Sequence, residues 1–213
     1  MEFIKENYKF AEYQELNYCY ENGIMYQRDM SVSVDYAEEY YEKYVSYENT
    51  EISKKINQAR KNITEKYCKT ILDIGIGSGE FIKESDIKVY GFDINPLAID
   101  WLTEKRLFID PYIEMPEVDG LTFWDSLEHI PEPSDILSLV LKNQYVFVSM
   151  PIFDNLMNLK KNKHYRPNEH YYYFTLNGII SYFKDLDFNC LEISDFEICA
   201  GRENIFTFVF QKL

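Results

Sequence analysis

The sequence has no run of about 18 apolar residues, the length a membrane-spanning helix needs, so no membrane is expected among its partners. Its four cysteines, Cys19, Cys68, Cys190 and Cys199, lie far apart with no Cys-x-x-Cys pair. That spacing suits reduced thiols in the cytoplasm better than a disulfide framework or a cysteine-based zinc site. The first 20 residues lack both a basic start and an apolar stretch, so no secretory signal is expected. Positive charge is scarce. Twenty-two Lys and Arg against 36 Asp and Glu leave a net charge of −14, which repels phosphate backbones and counts against nucleic acid as a partner.

What is present begins at residues 70–82, Thr-Ile-Leu-Asp-Ile-Gly-Ile-Gly-Ser-Gly-Glu-Phe-Ile. An apolar run containing Asp73 leads into Gly75, Gly77 and Gly79, which reads as a buried parallel strand, a tight turn and a helix start. The glycines let backbone N–H groups approach a ligand that a Cβ would push away. A triphosphate cradle would need Gly-x-x-x-x-Gly-Lys-Ser/Thr, and no such lysine follows. A dinucleotide fingerprint would place its third glycine where Glu80 stands.

Strands and helices alternate along the rest of the chain. Strands are predicted at 70–74, 87–92, 107–110, 121–124, 145–150, 190–196 and 205–211. Helices are predicted at 51–67, 96–105, 134–141 (with Ser134 as N-cap) and 177–184. The fold class is therefore α/β, a Rossmann-like doubly wound sheet of seven strands, mainly parallel with an antiparallel closing strand. Residues 1–50 carry ten of the 19 tyrosines and no clear strand periodicity. Tyr36, Tyr40, Tyr44 and Tyr47 fall at i, i+4, i+8 and i+11, a helical stripe. The expected division is a helical, Tyr-rich cap or lid at 1–50 and a ligand-binding domain at 51–213.

Asp93 ends the second strand, where a Rossmann-like sheet places an acid to accept hydrogen bonds from ribose hydroxyls; a helix N-cap is the plainer role. Asp110, after the third strand, could accept from an adenine amino group or simply sit in a surface loop. The segment 121–134, Leu-Thr-Phe-Trp-Asp-Ser-Leu-Glu-His-Ile-Pro-Glu-Pro-Ser, is the second strong motif.

With the glycine turn, this segment resembles the class I S-adenosylmethionine (SAM)-dependent methyltransferases, in particular the branch containing ubiquinone-biosynthesis O-methyltransferases. The resemblance implies that the Asp73 region and the glycine turn face the methionine moiety, and that Asp93 with Ile94 holds the ribose end. It also implies that the backbone of Asp125, Ser126 and Leu127 lies beside the cofactor, with Glu128 and His129 at the mouth of the cleft. His129 is then the first candidate for a general base, because imidazole is neutral near pH 7; a structural histidine bonded to backbone is the alternative. No metal is assigned, although Asp125, Glu128, His129 and His170 together carry the donor atoms for a divalent cation.

A third cluster, 163–175, follows the fifth strand and holds His164, Tyr165, Arg166, His170 and Tyr171. It offers proton acceptors, an anion clamp and stacking surfaces on the substrate side. In related enzymes a histidine shortly before Phe-Thr lines that side, which here is His170. The plainer reading packs the loop aromatically with Glu169 paired to Arg166. The expected function is methyl transfer from SAM, leaving S-adenosylhomocysteine, to a small hydroxylated or anionic acceptor. The alternatives are a non-catalytic SAM- or nucleotide-binding accessory protein and a methyltransferase acting on a nucleotide or RNA end. A homodimer is compatible with all three. Arg166→Ala should weaken an anionic acceptor strongly and leave SAM affinity unchanged in calorimetric titrations; equal losses of both would refute the clamp.

Overall fold

In the computed structural model, which describes residues 11–13, 16–19, 22–27, 38–167 and 169–213, the N-terminal segment is not purely helical. Strands β1 (Ala11–Tyr13), β2 (Leu16–Cys19) and β3 (Ile24–Gln27) run antiparallel, and β3 pairs with β8 (Tyr172–Phe174) to close a four-stranded sheet. Strands of three or four residues are too short to show alternation in sequence, so none was predicted there. Helix α1 (Glu38–Tyr47) falls within the stretch read as helical from its tyrosine spacing. Of its tyrosine stripe, Tyr36 and the side chains of Tyr40 and Tyr44 lie outside the described residues, and Tyr47 is 53% exposed.

Helix α2 (Glu51–Glu65) starts at Thr50, whose hydroxyl accepts from the Ser53 N–H. It buries Ile56 and Ile63 as its spacing predicts, but the same face also buries Asn57, Arg60 and Thr64, while Ile52 is exposed. Strand β4 (Thr70–Ile74) follows, then α3 (Glu80–Glu84), β5 (Lys88–Phe92), α4 (Pro96–Glu104) and β6 (Gly120–Trp124). Helix α5 (Pro133–Ser138), strand β7 (Tyr145–Pro151), helix α6 (Leu176–Asp185), strand β9 (Phe188–Ser194), the one-turn α7 (Phe196–Cys199) and β10 (Ile205–Lys212) complete the chain. Ser134 does not cap α5; its hydroxyl donates to the Glu132 carboxylate.

The main sheet has the order β5-β4-β6-β7-β10-β9, with β4, β5, β6 and β7 parallel and β10 antiparallel to both its neighbours. It therefore has six strands where seven were expected. The missing one, 107–110, is reduced to a single bridge between Phe108 and Gly91. Pro111 follows Asp110 at once, and proline neither donates to a ladder nor lets the preceding residue choose its backbone freely.

Both faces of the sheet are covered, which is why its central strands read as largely apolar runs, each with one buried polar residue: Asp73, Thr122, Ser149 and Thr207. On one face Leu72, Leu121, Phe123, Val146, Val148, Phe208 and Phe210 pack with Ile179, Tyr182 and Phe183 of α6. Phe183 and Phe210 stack with centroids 3.8 Å apart. On the other face Ile71, Val89, Phe147 and Val209 meet Ile63 and Phe81. Burying each such side chain contributes roughly 1.5–3 kcal/mol of transfer free energy. Among the described residues, no helix is long and apolar enough to cross a membrane.

One polar cluster interrupts this packing. Arg60 of α2 donates from Nη2 to Asp125 Oδ2 at 3.1 Å and from Nε to Glu197 Oε1 at 2.9 Å. Arg202 grips the same two carboxylates, reaching Asp125 Oδ2 at 2.7 Å, Asp125 Oδ1 at 2.9 Å and Glu197 Oε2 at 2.5 Å. The Glu197 side chain is fully buried, so its removal leaves two guanidiniums short of a counter-charge. Glu197→Ala should cost about 3–5 kcal/mol of unfolding free energy in urea titrations.

Candidate active site

Strand β4 delivers the chain to the carboxyl edge of the sheet, where the glycine turn begins. Gly75, Gly77 and Gly79 all have positive φ (78°, 57° and 75°). At Gly75 a Cβ would lie 2.7 Å from the Ser126 Cβ, so the turn after β4 and the turn after β6 can touch only because position 75 has no side chain. Gly79 starts α3 in a left-handed conformation, and Trp101 packs where its Cβ would be. Glu80, in place of a third dinucleotide glycine, accepts from the Asn49 N–H and the Ser53 hydroxyl and so ties α3 to the start of α2.

The acid at the end of β5 holds this turn. Asp93 accepts from the Gly77 N–H at 3.3 Å and from the Asn95 N–H at 2.8 Å. Burial raises its carboxyl above the usual range, and those N–H groups oppose the rise. Asn95, not Asp93, caps α4. Beside Asp93, Ile94 is 65% exposed and Leu97 37% exposed, an apolar pair at the sheet edge. Asp110 stands apart: its carboxylate accepts from the Tyr112 N–H within its own turn. Asp73 is not in the turn. It lies buried inside β4 and accepts from the Thr122 hydroxyl at 2.7 Å; burial pushes its carboxyl up to about 7, with the Thr122 bond pulling the other way.

The segment after β6 lies against this turn. Asp125 adopts φ of 56°, and Ser126 donates from its hydroxyl to the Ile74 carbonyl. Burial opposes ionisation of Asp125, but the charges of Arg202 and Arg60 outweigh it and hold the carboxyl well below its ordinary range. Both of its oxygens are therefore engaged by guanidinium groups. Leu127 turns into the core, leaving only backbone at the edge.

Glu128, His129 and His170 come together although 41 residues separate the two histidines. The Tyr171 N–H donates to the Glu128 carbonyl at 2.8 Å and docks the loop before β8 onto the short 3₁₀ turn at Leu127–His129. The imidazoles of His129 and His170 meet edge to face with centroids 4.7 Å apart. One donor atom from each of the three side chains lies within 4.8 Å of the others. Glu128 is 1% exposed, and its Oε2 has no hydrogen-bond partner among the described residues. Burial, reinforced by the charge of Asp125, pushes its carboxyl up to about 8. Burial also keeps both imidazoles uncharged, lowering His129 and holding His170 down to about 2, the latter helped by His129 and Arg166.

The remaining candidates spread out. Arg166 pairs with Glu169 at 2.9 Å, as the plainer reading expected. The His164 ring bonds the Glu203 carbonyl at 2.7 Å, and Tyr165 packs on Tyr173 with centroids 5.6 Å apart. Tyr171 is half-buried beside Tyr172. Sequence reasoning missed Arg60, Glu197 and Arg202. The available signal was Arg60 on the apolar face of α2, where an arginine needs a buried partner.

A family model described as a methyltransferase domain matches residues 41–193. No curated protein matches the chain. Among solved structures it is similar to a SAM-dependent methyltransferase from Archaeoglobus fulgidus, with TM-score 0.59 and 18% identity over 81% of this chain and 99% of that one. It is also similar to magnesium protoporphyrin IX methyltransferase from Synechocystis with bound S-adenosylhomocysteine, with TM-score 0.58 and 15% identity over 84% and 96% of the two chains. A third is 1,6-didemethyltoxoflavin-N1-methyltransferase from Burkholderia thailandensis, with TM-score 0.56 and 15% identity over 96% and 99%.

Asp73 makes a prediction independent of ligand. Its folded carboxyl titrates above its unfolded value, so stability present at low pH is lost as pH rises from the ordinary carboxylate range through about 7. Asp73→Asn keeps an acceptor for Thr122 but has no such loss. Melting curves should show the variant gaining on the parent between pH 4 and 7, by about the span of that titration, and level above it.

Proposed function

We propose that this chain, which belongs to the SAM-dependent methyltransferase family, is an enzyme that moves a methyl group to a small hydroxylated or anionic acceptor. The observation that carries this reading is that the glycine turn with Asp93 and the Glu128–His129–His170 cluster lie at one edge, after the carboxyl ends of β4, β5 and β6.

The residues fit the donor. Three left-handed glycines keep side chains out of the turn, the Asp93 carboxylate follows β5 where this reading puts the ribose, and Ile94 and Leu97 leave apolar surface beside it for a planar base. When bound, SAM supplies a methyl group on a positively charged sulfur. Gly75, Gly77, Gly79, Asp93 and Ile94, with the backbone of Asp125–Leu127, would hold it. Asp110 is kept as an outer contact through its turn, and Asp73 as a support beneath the strand.

The chain's own contribution is alignment, exclusion of water and handling of one proton. A hydroxyl acceptor must lose its proton as its oxygen takes the methyl group. The uncharged imidazoles of His129 and His170 are the acceptors next to the buried carboxyl of Glu128, and His129, the less buried of the two, is the one an acceptor meets first. Arg166, held by Glu169, supplies positive charge near this cluster for an anionic group, with His164, Tyr165 and Tyr171 on the same loop. The hydroxyl specificity rests on the likeness of 121–134 to the ubiquinone-type O-methyltransferases.

Calorimetry with S-adenosylhomocysteine tests the donor site. The parent should bind it one to one, and Asp93→Ala should bind about 10–100-fold more weakly, the loss expected for a charged acceptor of hydroxyl hydrogen bonds. A parent that binds neither SAM nor its product refutes the reading. Binding without turnover across a panel of hydroxylated and anionic acceptors would favour the accessory-protein alternative.

A further inference from the structure

The cluster of Glu128, His129 and His170 has a composition and geometry that proton transfer alone does not require. A base needs one imidazole; here two imidazoles and a carboxylate converge, with donor atoms within 4.8 Å of one another. Donors around a single ion at bonds of about 2.1 Å stand at most about 4.2 Å apart, so small side-chain rotations would bring this set to one centre. Two features of the surroundings point the same way. Glu128 Oε2 is buried without a hydrogen-bond partner among the described residues, a costly state for a carboxyl oxygen unless something else takes it. The His129 ring is held by the backbone of Glu169, the kind of outer-sphere contact that orients a metal-ligating imidazole.

We propose that Glu128, His129 and His170 form a divalent-cation site that binds a first-row transition ion through one carboxylate oxygen and two imidazole nitrogens. Two nitrogen donors favour Zn²⁺, Co²⁺ or Ni²⁺ over the oxygen-preferring Mg²⁺, Ca²⁺ and Mn²⁺. Asp125, which the motif spacing had grouped with these residues, is not a ligand, because Arg60 and Arg202 occupy both of its oxygens. Three protein donors leave open positions, the arrangement of a catalytic rather than a structural site. The inference rests on methyl transfer as the reaction and deepens it: an ion here lowers the pKa of a hydroxyl brought to it, the proton passing to water, so activation no longer depends on a free His129 lone pair.

The test is titration of the chelator-treated full chain with Zn²⁺, Co²⁺ and Mg²⁺ by calorimetry, with the visible bands of Co²⁺ as a second readout. The expected result is one Zn²⁺ or Co²⁺ per chain, Mg²⁺ weaker by at least about tenfold, and nitrogen-ligated Co²⁺ bands. His170→Ala and Glu128→Gln should each weaken Zn²⁺ by at least about tenfold while still binding S-adenosylhomocysteine, which shows that they fold. A parent that binds no ion, or variants that bind as the parent does, would overturn the site and leave the methyltransferase reading intact. Loss of S-adenosylhomocysteine binding by the parent would refute that reading without touching the metal titration.

Discussion

Two arginines and two carboxylates fix the edge of the sheet at which the glycine turn and the Glu128–His129–His170 cluster lie. Arg60 comes from a helix, Asp125 from the turn after β6, Glu197 from α7 and Arg202 from the approach to β10, and every pair of opposite charges among them is in contact. The formal charges cancel, which is the condition under which such groups tolerate burial. The network also holds Asp125 at a left-handed φ that a non-glycine residue seldom adopts. That turn sends residues 126–129 back across the glycine loop, so Ser126 can reach the Ile74 carbonyl and Glu128 points inward. The ion network and the glycine-turn edge are therefore parts of one arrangement.

The edge separates charge from its surroundings. A chain with net charge −14 keeps two uncharged imidazoles and a carboxyl with a raised pKa inside it, where the charges of Asp125, Arg166 and Arg202 all act on Glu128. Desolvation does most of this work, since it disfavours the charged form of every group whatever its sign.

Much of the fold was legible because it is written locally. β4, β6, β7 and β10 announce themselves as largely apolar runs and β5 and β9 as alternating ones, and the helices between them carry caps or proline starts. What failed was short or balanced. The strand expected at 107–110 survives as one bridge because Pro111 cuts it off, and the three N-terminal strands are too brief to show a period. Their stability comes from pairing with β8, a partner about 150 residues away that no local pattern can reveal.

The same division runs through the site. The glycines at 75, 77 and 79 and the acid at 93 are dictated by the sequence itself, because a left-handed turn and an acid after a strand depend only on near neighbours. The meeting of His129 with His170, the seclusion of Glu128 and the capture of Asp125 by Arg60 and Arg202 were decided by tertiary structure alone. An identical Asp-x-x-Glu-His spacing would serve a cation or an ion network equally well. Which oxygen is free depends on the distant arginines that fold up against it.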